Sequence, residues 1–219
     1  MNVAPLVQPI LYSFRRCPYA IRARLSLAVA EIRCELREVL LRDKPPAMLS
    51  ASAKGTVPVL VLPERVIDES FEVMTWALGQ RDPLGWSDAP PAETQALVRD
   101  NDGSFKHHLD RYKYAERYDG ADAELERDEA AGFIAQLESR LAEGPYLTGE
   151  RPRLADAAIF PFVRQFAGVD KEYWQGAPFP NTRRWLQGWL DSSLFARCMH
   201  RSPPWQPSDA PVFFPASDS

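Results

Sequence analysis

Apolar residues in the first third of the chain follow two patterns, compact runs and helical spacing. The compact runs are typical of short strands and lie at residues 10–13, 34–39, 59–62 and 66–68. The helical stretches lie at residues 19–30, 45–52 and 70–78. The resulting order β-α-β-α-β-β-α predicts an α/β sheet whose first two strands are parallel, because a helix separates them.

Two of these helical stretches make specific predictions. On residues 19–30, Ile21 and Leu25 mark the apolar side, so Arg22 and Arg24 are expected on the opposite, polar side. The stretch at 70–78 begins with Ser70, a residue type suited to cap a helix.

Apolar spacing is helical through most of the second half. The predicted helices lie at residues 92–118, 124–142, 154–166 and 181–190. Residues 81–91 contain three prolines and a glycine and are the best linker candidate. The pattern therefore predicts an α/β domain at residues 1–80 and an all-helical domain at residues 92–219, joined by the linker 81–91.

Composition narrows the function classes. The chain has 219 residues, of which 45% are hydrophobic and 26% charged, as in proteins with a substantial core. The net charge of −4 disfavours nucleic-acid binding. No apolar run reaches the roughly 20 residues that span a membrane, and residues 1–8 show no secretory signal. The three cysteines argue against a disulfide framework and for a reducing compartment, so we expect a cytoplasmic protein.

Cys17 lies between a predicted strand and a predicted helix, directly before Pro18. Proline fits the first turn of a helix, so Cys17 is the expected N-cap. Unpaired backbone N–H groups, the helix dipole and the neighbouring Arg15 and Arg16 all favour a thiolate there. A thiol with a pKa of about 8.5 is roughly 3% ionised at pH 7, whereas a pKa of about 6 gives roughly 90%. We interpret Cys17 as a candidate nucleophile, and a buried, inert cysteine is the alternative.

Ala20 occupies the place where a dithiol motif would have its second cysteine. A mixed disulfide on Cys17 would therefore be released by an external thiol. Cys34 and Cys198 are interpreted as structural.

Other site types find little support. The three histidines, His107, His108 and His200, and the scattered cysteines show no zinc-ligand spacing, so no metal is expected. The adjacent pair His107 and His108 is expected to be solvated. The chain has neither a phosphate-binding glycine loop with Lys-Ser/Thr nor a Gly-x-Ser-x-Gly elbow.

Three motifs resemble those of the glutathione transferases, and most closely those of their omega class. Residues 11–20 resemble the cysteine motif of that class, residues 56–60 the family's cis-proline segment, and residues 68–70 its γ-glutamyl-binding motif. The motifs have the family's order and spacing. The resemblance implies a thioredoxin-like N-terminal domain followed by a C-terminal helical bundle, and glutathione as co-substrate.

The resemblance also implies roles for individual residues. Val57, before a cis Pro58, would pair its backbone with the cysteinyl part of glutathione. Glu69 would receive the γ-glutamyl ammonium group, and Ser70 would bind the γ-glutamyl carboxylate at a helix start. Lys44 is the candidate for the glycine carboxylate.

Two further residues carry expectations. Lys54 is a second candidate for the glycine carboxylate. Asp156 is implied to cap a buried helix, although Arg153 stands where the family has Ser or Thr.

The resulting hypothesis is a glutathione-dependent thiol transferase or reductase that forms a Cys17–glutathione mixed disulfide. Dehydroascorbate reduction is typical of the omega-like class. Its partners would be glutathione, a small oxidised or electrophilic substrate and, by the resemblance, a second copy in a homodimer. One alternative is glutathione conjugation to electrophiles, with Tyr12 or Ser13 as hydroxyl donor. The other is a non-catalytic binding module with the same architecture.

Overall fold

The computed structural model describes residues 8–216, and one mixed β-sheet organises both ends of that range. Its strands are β1 (Ile10–Ser13), β2 (Cys34–Glu38), β3 (Val59–Val61), β4 (Val66–Ile67) and β5 (Phe213–Phe214). The order across the sheet is β4-β3-β1-β2-β5. β1 and β2 are parallel, as predicted, and the other pairings are antiparallel. The sequence reading for residues 1–8 falls almost entirely outside the described residues.

Three helices accompany this sheet near the N-terminus, and the predicted order β-α-β-α-β-β-α is confirmed. They are α1 (Pro18–Val29), α2 (Pro46–Ala51) and α3 (Ser70–Gln80). α1 packs against α3, and both follow directly on residues of the candidate site. This half has the expected thioredoxin-like α/β fold.

The second half is helical, as predicted. Its helices are α4 (Pro91–Asp100), α5 (Lys106–Lys113), α6 (Ala123–Glu143), α7 (Leu154–Ala167), α8 (Lys171–Gly176), α9 (Pro180–Leu190) and α10 (Ser193–Cys198). A π-helical turn at Asn101–Phe105 connects α4 to α5. The single helix predicted at residues 92–118 is therefore wrong in detail. It contains the π turn, and it ends where Tyr114 leaves helical geometry at φ −130° and ψ 40°.

The chain divides differently from the predicted domains 1–80 and 92–219. One unit comprises the described residues up to Leu84 together with those from Ser193 onward, and the other is Gly85–Ser192. The last segment groups with the first unit because β5 pairs with β2 and the Trp205 N–H donates to the Glu38 carbonyl over 2.8 Å. A strand of two residues is too short to be predicted from its sequence pattern, so the pairing of β5 with β2 was not expected.

The polar side expected for α1 does not exist. Arg22 and Arg24 are 2% and 1% exposed, and their neighbours along α1 are buried as well. The helix is covered on all sides, and its arginines are kept inside by the polar contacts described below. Among the described residues, no helix has the length and apolar character needed to cross a membrane.

Candidate active site

Cys17 is the N-cap residue of α1, as predicted, with extended backbone angles of φ −73° and ψ 124°. Its carbonyl accepts the Ile21 N–H over 2.9 Å, and its own N–H donates to the Phe14 carbonyl over 3.0 Å. The side chain is half-buried, and its Sγ lies 3.7 Å from the Val57 carbonyl oxygen. The sulfur therefore stands at a helix start.

The loop before β3 supplies the second part of the site. The Val57–Pro58 bond is cis, as predicted. Two residues earlier, Gly55 has φ +62°, a left-handed conformation that favours glycine. The Lys44 side chain folds over this turn, because a Cβ placed on Gly55 would lie 3.6 Å from Lys44 Nζ. Lys44 is exposed, so its ammonium group is free to meet an anion beside the loop.

Glu69 is the N-cap residue of α3, and its carboxylate is engaged by a lysine. Lys54 Nζ donates to Glu69 Oε1 over 2.5 Å and to Asp68 Oδ1 over 2.9 Å. These bonds, to Glu69 first and then to Asp68, raise the pKa of the Lys54 ammonium. The hydroxyl of Ser52 donates to Asp68 Oδ2 over 2.6 Å, and this bond, followed by the Lys54 bond, lowers the pKa of Asp68. Two carboxylates thus face one lysine.

Ser70 begins α3, and a buried arginine lies behind its side chain. Arg22 Nε donates to Ser70 Oγ over 3.0 Å, and the Arg22 guanidinium also lies 5.0 Å from the centre of the Tyr19 ring. A positive charge beside the unpaired N–H groups of a helix start favours an anion. Sequence reasoning missed this contribution, because an arginine in a helical pattern reads as a solvent-facing residue.

The loop that carries Cys17 is held by a buried ion pair. Arg24 donates from Nη2 to Glu38 Oε2 over 2.6 Å and from Nε to Ser13 Oγ over 2.8 Å. The second carboxylate oxygen, Glu38 Oε1, accepts the Arg15 N–H over 2.7 Å. Arg24 also donates to the Cys198 carbonyl over 3.0 Å. One side chain of β2 therefore joins α1 to the loop before the cysteine.

The hydroxyl groups at the end of β1 are not available to a bound sulfur. Tyr12 and Ser13 are 2% and 0% exposed. The Tyr12 hydroxyl accepts a hydrogen bond from Arg37 over 2.7 Å, as the Ser13 hydroxyl does from Arg24. Neither one is placed to stabilise a thiolate in solvent-accessible space.

The other two cysteines are chemically masked. Cys34 and Cys198 are both fully buried, and burial raises the pKa of each thiol to about 12. Ala20 is buried as well. No second thiol of the described chain is therefore exposed beside Cys17.

The predicted site residues fall into contacting sets. Cys17 meets Val57, Lys54 meets Glu69, and Lys44 lies over the turn between them. Ser70 continues the chain directly from Glu69.

Comparisons with known proteins find matches to one family in both halves of the chain. Residues 11–85 match the family described as Glutathione S-transferase, N-terminal domain, and residues 107–188 match Glutathione S-transferase, C-terminal domain. The glutathione S-transferase U22 of Arabidopsis thaliana is 27% identical over 169 residues, covering 74% of this chain and 75% of that protein. A probable glutathione transferase of Aplysia californica is 34% identical over 94 residues, covering 43% of this chain and 97% of that protein.

The fold is also similar to solved structures. A glutathione transferase family member from Pseudomonas fluorescens, crystallised with two glutathione molecules, superposes with a TM-score of 0.75 at 21% identity. The superposition covers 90% of this chain and 95% of that one. At 21% identity, this similarity shows a shared fold.

Proposed function

Because the chain belongs to the glutathione transferase family, we propose that it is a glutathione-dependent thiol transferase or reductase with Cys17 as its nucleophile. The observation that carries this proposal is a half-exposed cysteine at the start of α1, while Cys34 and Cys198 are buried. A helix N-terminus stabilises a thiolate, and a thiolate is the form that attacks disulfides.

The proposed reaction proceeds in two exchanges. The Cys17 thiolate attacks the glutathione sulfur of a glutathionylated substrate, so that a Cys17–glutathione disulfide forms and the substrate leaves as a thiolate. A second glutathione thiolate then attacks the bound glutathione sulfur, releasing oxidised glutathione and restoring Cys17. Overall, one free glutathione thiolate is consumed: the substrate is released as a thiolate, and the glutathione that it carried leaves as half of oxidised glutathione. Since the remaining cysteines are buried, the second step depends on an external thiol.

Glutathione itself would bind along the loops around the cysteine. Val57 would pair its backbone with the cysteinyl unit, next to Sγ of Cys17. Glu69 would take the γ-glutamyl ammonium group, and Ser70, backed by Arg22, would take the adjacent carboxylate. Lys44 would meet the glycine carboxylate.

Replacement of Cys17 tests the proposal. We expect wild-type protein to reduce a glutathione mixed disulfide of a small thiol, and Cys17→Ala to lose this activity at least 100-fold. Cys198→Ala is the matched control, because that thiol is buried, and it should retain activity. Mass spectrometry after exposure to oxidised glutathione should show a single adduct on Cys17. Equal rates for wild type and Cys17→Ala would end the proposal.

The alternative functions have distinct signatures. Conjugation to electrophiles would need a hydroxyl donor, and the burial of Tyr12 and Ser13 disfavours both candidates. Activity with an electrophile that Ser13→Ala abolishes in a Cys17→Ala background would restore that alternative. A non-catalytic module is favoured if calorimetry detects no glutathione binding at millimolar concentration. The homodimer and the cytoplasmic location stay predictions.

A further inference from the structure

A second cluster of reactive side chains lies in the helical unit, Gly85–Ser192, to which none of the residues proposed to bind glutathione belongs. His107 and His108 lie in the first turn of α5, and Glu126 lies in the first turn of α6. One donor atom from each residue lies within 4.8 Å of the other two. We propose that these three residues, the His–His–Glu cluster, form a binding site for one zinc ion or a similar divalent transition metal.

One carboxylate oxygen of Glu126 is bound by an arginine, and the other oxygen faces His108. Arg111 Nε donates to Glu126 Oε1, while Glu126 Oε2 lies 2.6 Å from His108 Nδ1. Carboxylates that bind metals are commonly oriented by such a hydrogen bond on their second oxygen. The Glu126 side chain is 10% exposed, so its position is constrained by packing.

The distances require small adjustments only. Zinc bonds of about 2.0–2.1 Å in a tetrahedron separate neighbouring donors by about 3.4 Å. The contact between His108 and Glu126 would open by about 0.8 Å, and the widest separation would close by at most about 1.4 Å. His107 is exposed, so its ring is free to rotate, and water would complete the coordination.

The donor types indicate which ions fit. Two imidazoles and one carboxylate suit zinc, nickel or copper better than magnesium or calcium, which prefer all-oxygen sites. The guanidinium group of Arg111 adds a positive charge nearby, which lowers the affinity for a cation. We therefore expect micromolar affinity, and an ion that ties α5 to α6.

Sequence spacing concealed this cluster. The expectation of no metal was based on histidines and cysteines, whereas the third ligand is a glutamate on the next long helix, 18 residues from His108. The π turn at Asn101–Phe105 directly precedes α5. One extra residue in such a turn shifts the side-chain positions that follow by about 100° around the helix axis. Such turns are enriched at functional sites.

The experiment measures zinc binding by calorimetry to the full chain carrying Cys17→Ala, because an exposed thiol is itself a zinc ligand. We expect one zinc ion per chain and a higher melting temperature with zinc. His107→Ala, added to this background, should weaken binding at least ten-fold and abolish the thermal shift. His200→Ala is the matched control, since that exposed histidine lies outside the cluster, and it should change neither.

Three results would overturn the proposal. The first is no binding to the Cys17→Ala protein at 100 µM zinc, a concentration of about 100 times a micromolar dissociation constant. The second is equal affinity of the His107→Ala and parent proteins. The third is unchanged affinity after Glu126→Gln, which would reduce the site to an adventitious histidine pair. If Glu126→Gln does not fold, the exposed His107 variant still decides.

Discussion

At the scale of single residues, Lys54 takes the place next to Glu69 that the proposed function assigns to the ammonium group of glutathione. Its ammonium group bridges Asp68 and Glu69 at the surface of the loop before β3. Exposed ion pairs are weak, so a ligand ammonium group can displace Lys54 without a large loss. When a ligand has no amino group, Lys54 can stay on Glu69 and keep the carboxylate paired.

Lys54→Met should therefore make the protein more sensitive to the amino group of its ligand. We compare glutathione with glutaryl-cysteinyl-glycine, which lacks only that group, by calorimetry. The loss of affinity on removing the amino group should be about three-fold larger in Lys54→Met than in wild type. Lys44→Met is the control, because its contact should weaken both ligands equally. If removing the amino group costs Lys54→Met no more affinity than it costs wild type, Lys54 does not exchange with the ligand ammonium group.

The sequence predicted the positions of the motif residues and did not predict the buried Arg22. The helix-start positions of Cys17 and Glu69 and the cis Val57–Pro58 bond could be predicted because each belongs to a short motif next to a strand or helix end, while their roles in binding stay predictions. The inward orientation of Arg22 could not be predicted, because helical spacing distinguishes two sides of a helix and cannot report that a third element covers the polar one.

At the scale of secondary-structure elements, Arg24 and Glu38 connect α1 with β2 inside the protein. Both are buried, and Arg24 has three hydrogen-bond acceptors around its guanidinium group. Removing one partner of a buried ion pair leaves the other charge without compensation.

Arg24→Met is expected to lower the free energy of unfolding by about 3–5 kcal/mol in urea titrations. The double variant Arg24→Met/Glu38→Gln should lose less, because no buried charge is then left unpaired. Arg42→Met, at an exposed loop position, should change stability by less than about 0.5 kcal/mol. A double variant as unstable as the sum of both single variants would show that the two side chains act independently.

Asp156 performs a similar joining role in the helical unit. Its carboxylate accepts the Leu147 N–H over 2.9 Å, the Trp185 Nε1–H over 2.8 Å and the Arg153 N–H over 3.1 Å. It therefore links the start of α7 to α9 and to the preceding loop. Asp156 thus caps α7 without the Ser or Thr that the resemblance implied at position 153.

The pH dependence of stability should carry the signature of this buried acid. Burial raises the pKa of Asp156 from 3.8 to about 6, although its three N–H donors act in the opposite direction. The folded protein therefore holds this proton more tightly than the unfolded chain. The resulting stabilisation is full below pH 3.8 and is lost as the pH rises through about 6, a change of about 3 kcal/mol.

Asp156→Asn provides the reference, since its amide does not titrate. We expect the difference in unfolding free energy between wild type and Asp156→Asn to fall from pH 4 to pH 7, measured by urea unfolding at each pH. A difference that stays constant or rises with pH would contradict the raised pKa.

At the scale of the whole molecule, the C-terminal segment completes the first unit. β5 covers the outer edge of β2, where Cys34 lies opposite Phe214, and the Cys34 thiol donates to the Phe214 carbonyl over 3.4 Å. The Trp205 ring lies 4.3 Å from the Arg37 guanidinium, which also bonds Tyr12. An uncovered strand edge would otherwise expose unpaired N–H and C=O groups.

Truncation after residue 204 should uncover this edge. We expect the native wild-type protein to show one thiol that reacts with an aromatic disulfide reagent, Cys17, and the truncated protein to show Cys34 as well. Peptide mapping identifies the modified residues. The truncated protein should also lose at least about 3 kcal/mol of stability, since the buried Phe214 side chain is removed. A Cys34 that stays unreactive would contradict this account of the edge.

The sequence predicted an α/β part followed by a helical part, but it did not predict that the last segment belongs to the first unit. The change from alternating strands and helices to helices alone indicated an α/β part and a helical part. The return of residues after Ser193 depends on hydrogen bonds between strands far apart in sequence, which no local pattern encodes.

This return has a consequence for synthesis. A ribosome makes residues up to Leu84 long before it makes Phe213 and Phe214. The outer edge of β2 therefore stays unpaired while the helical unit is translated. The edge of β2 is therefore open to wrong strand pairing during that interval, which ends when Phe213 and Phe214 are made and pair with it.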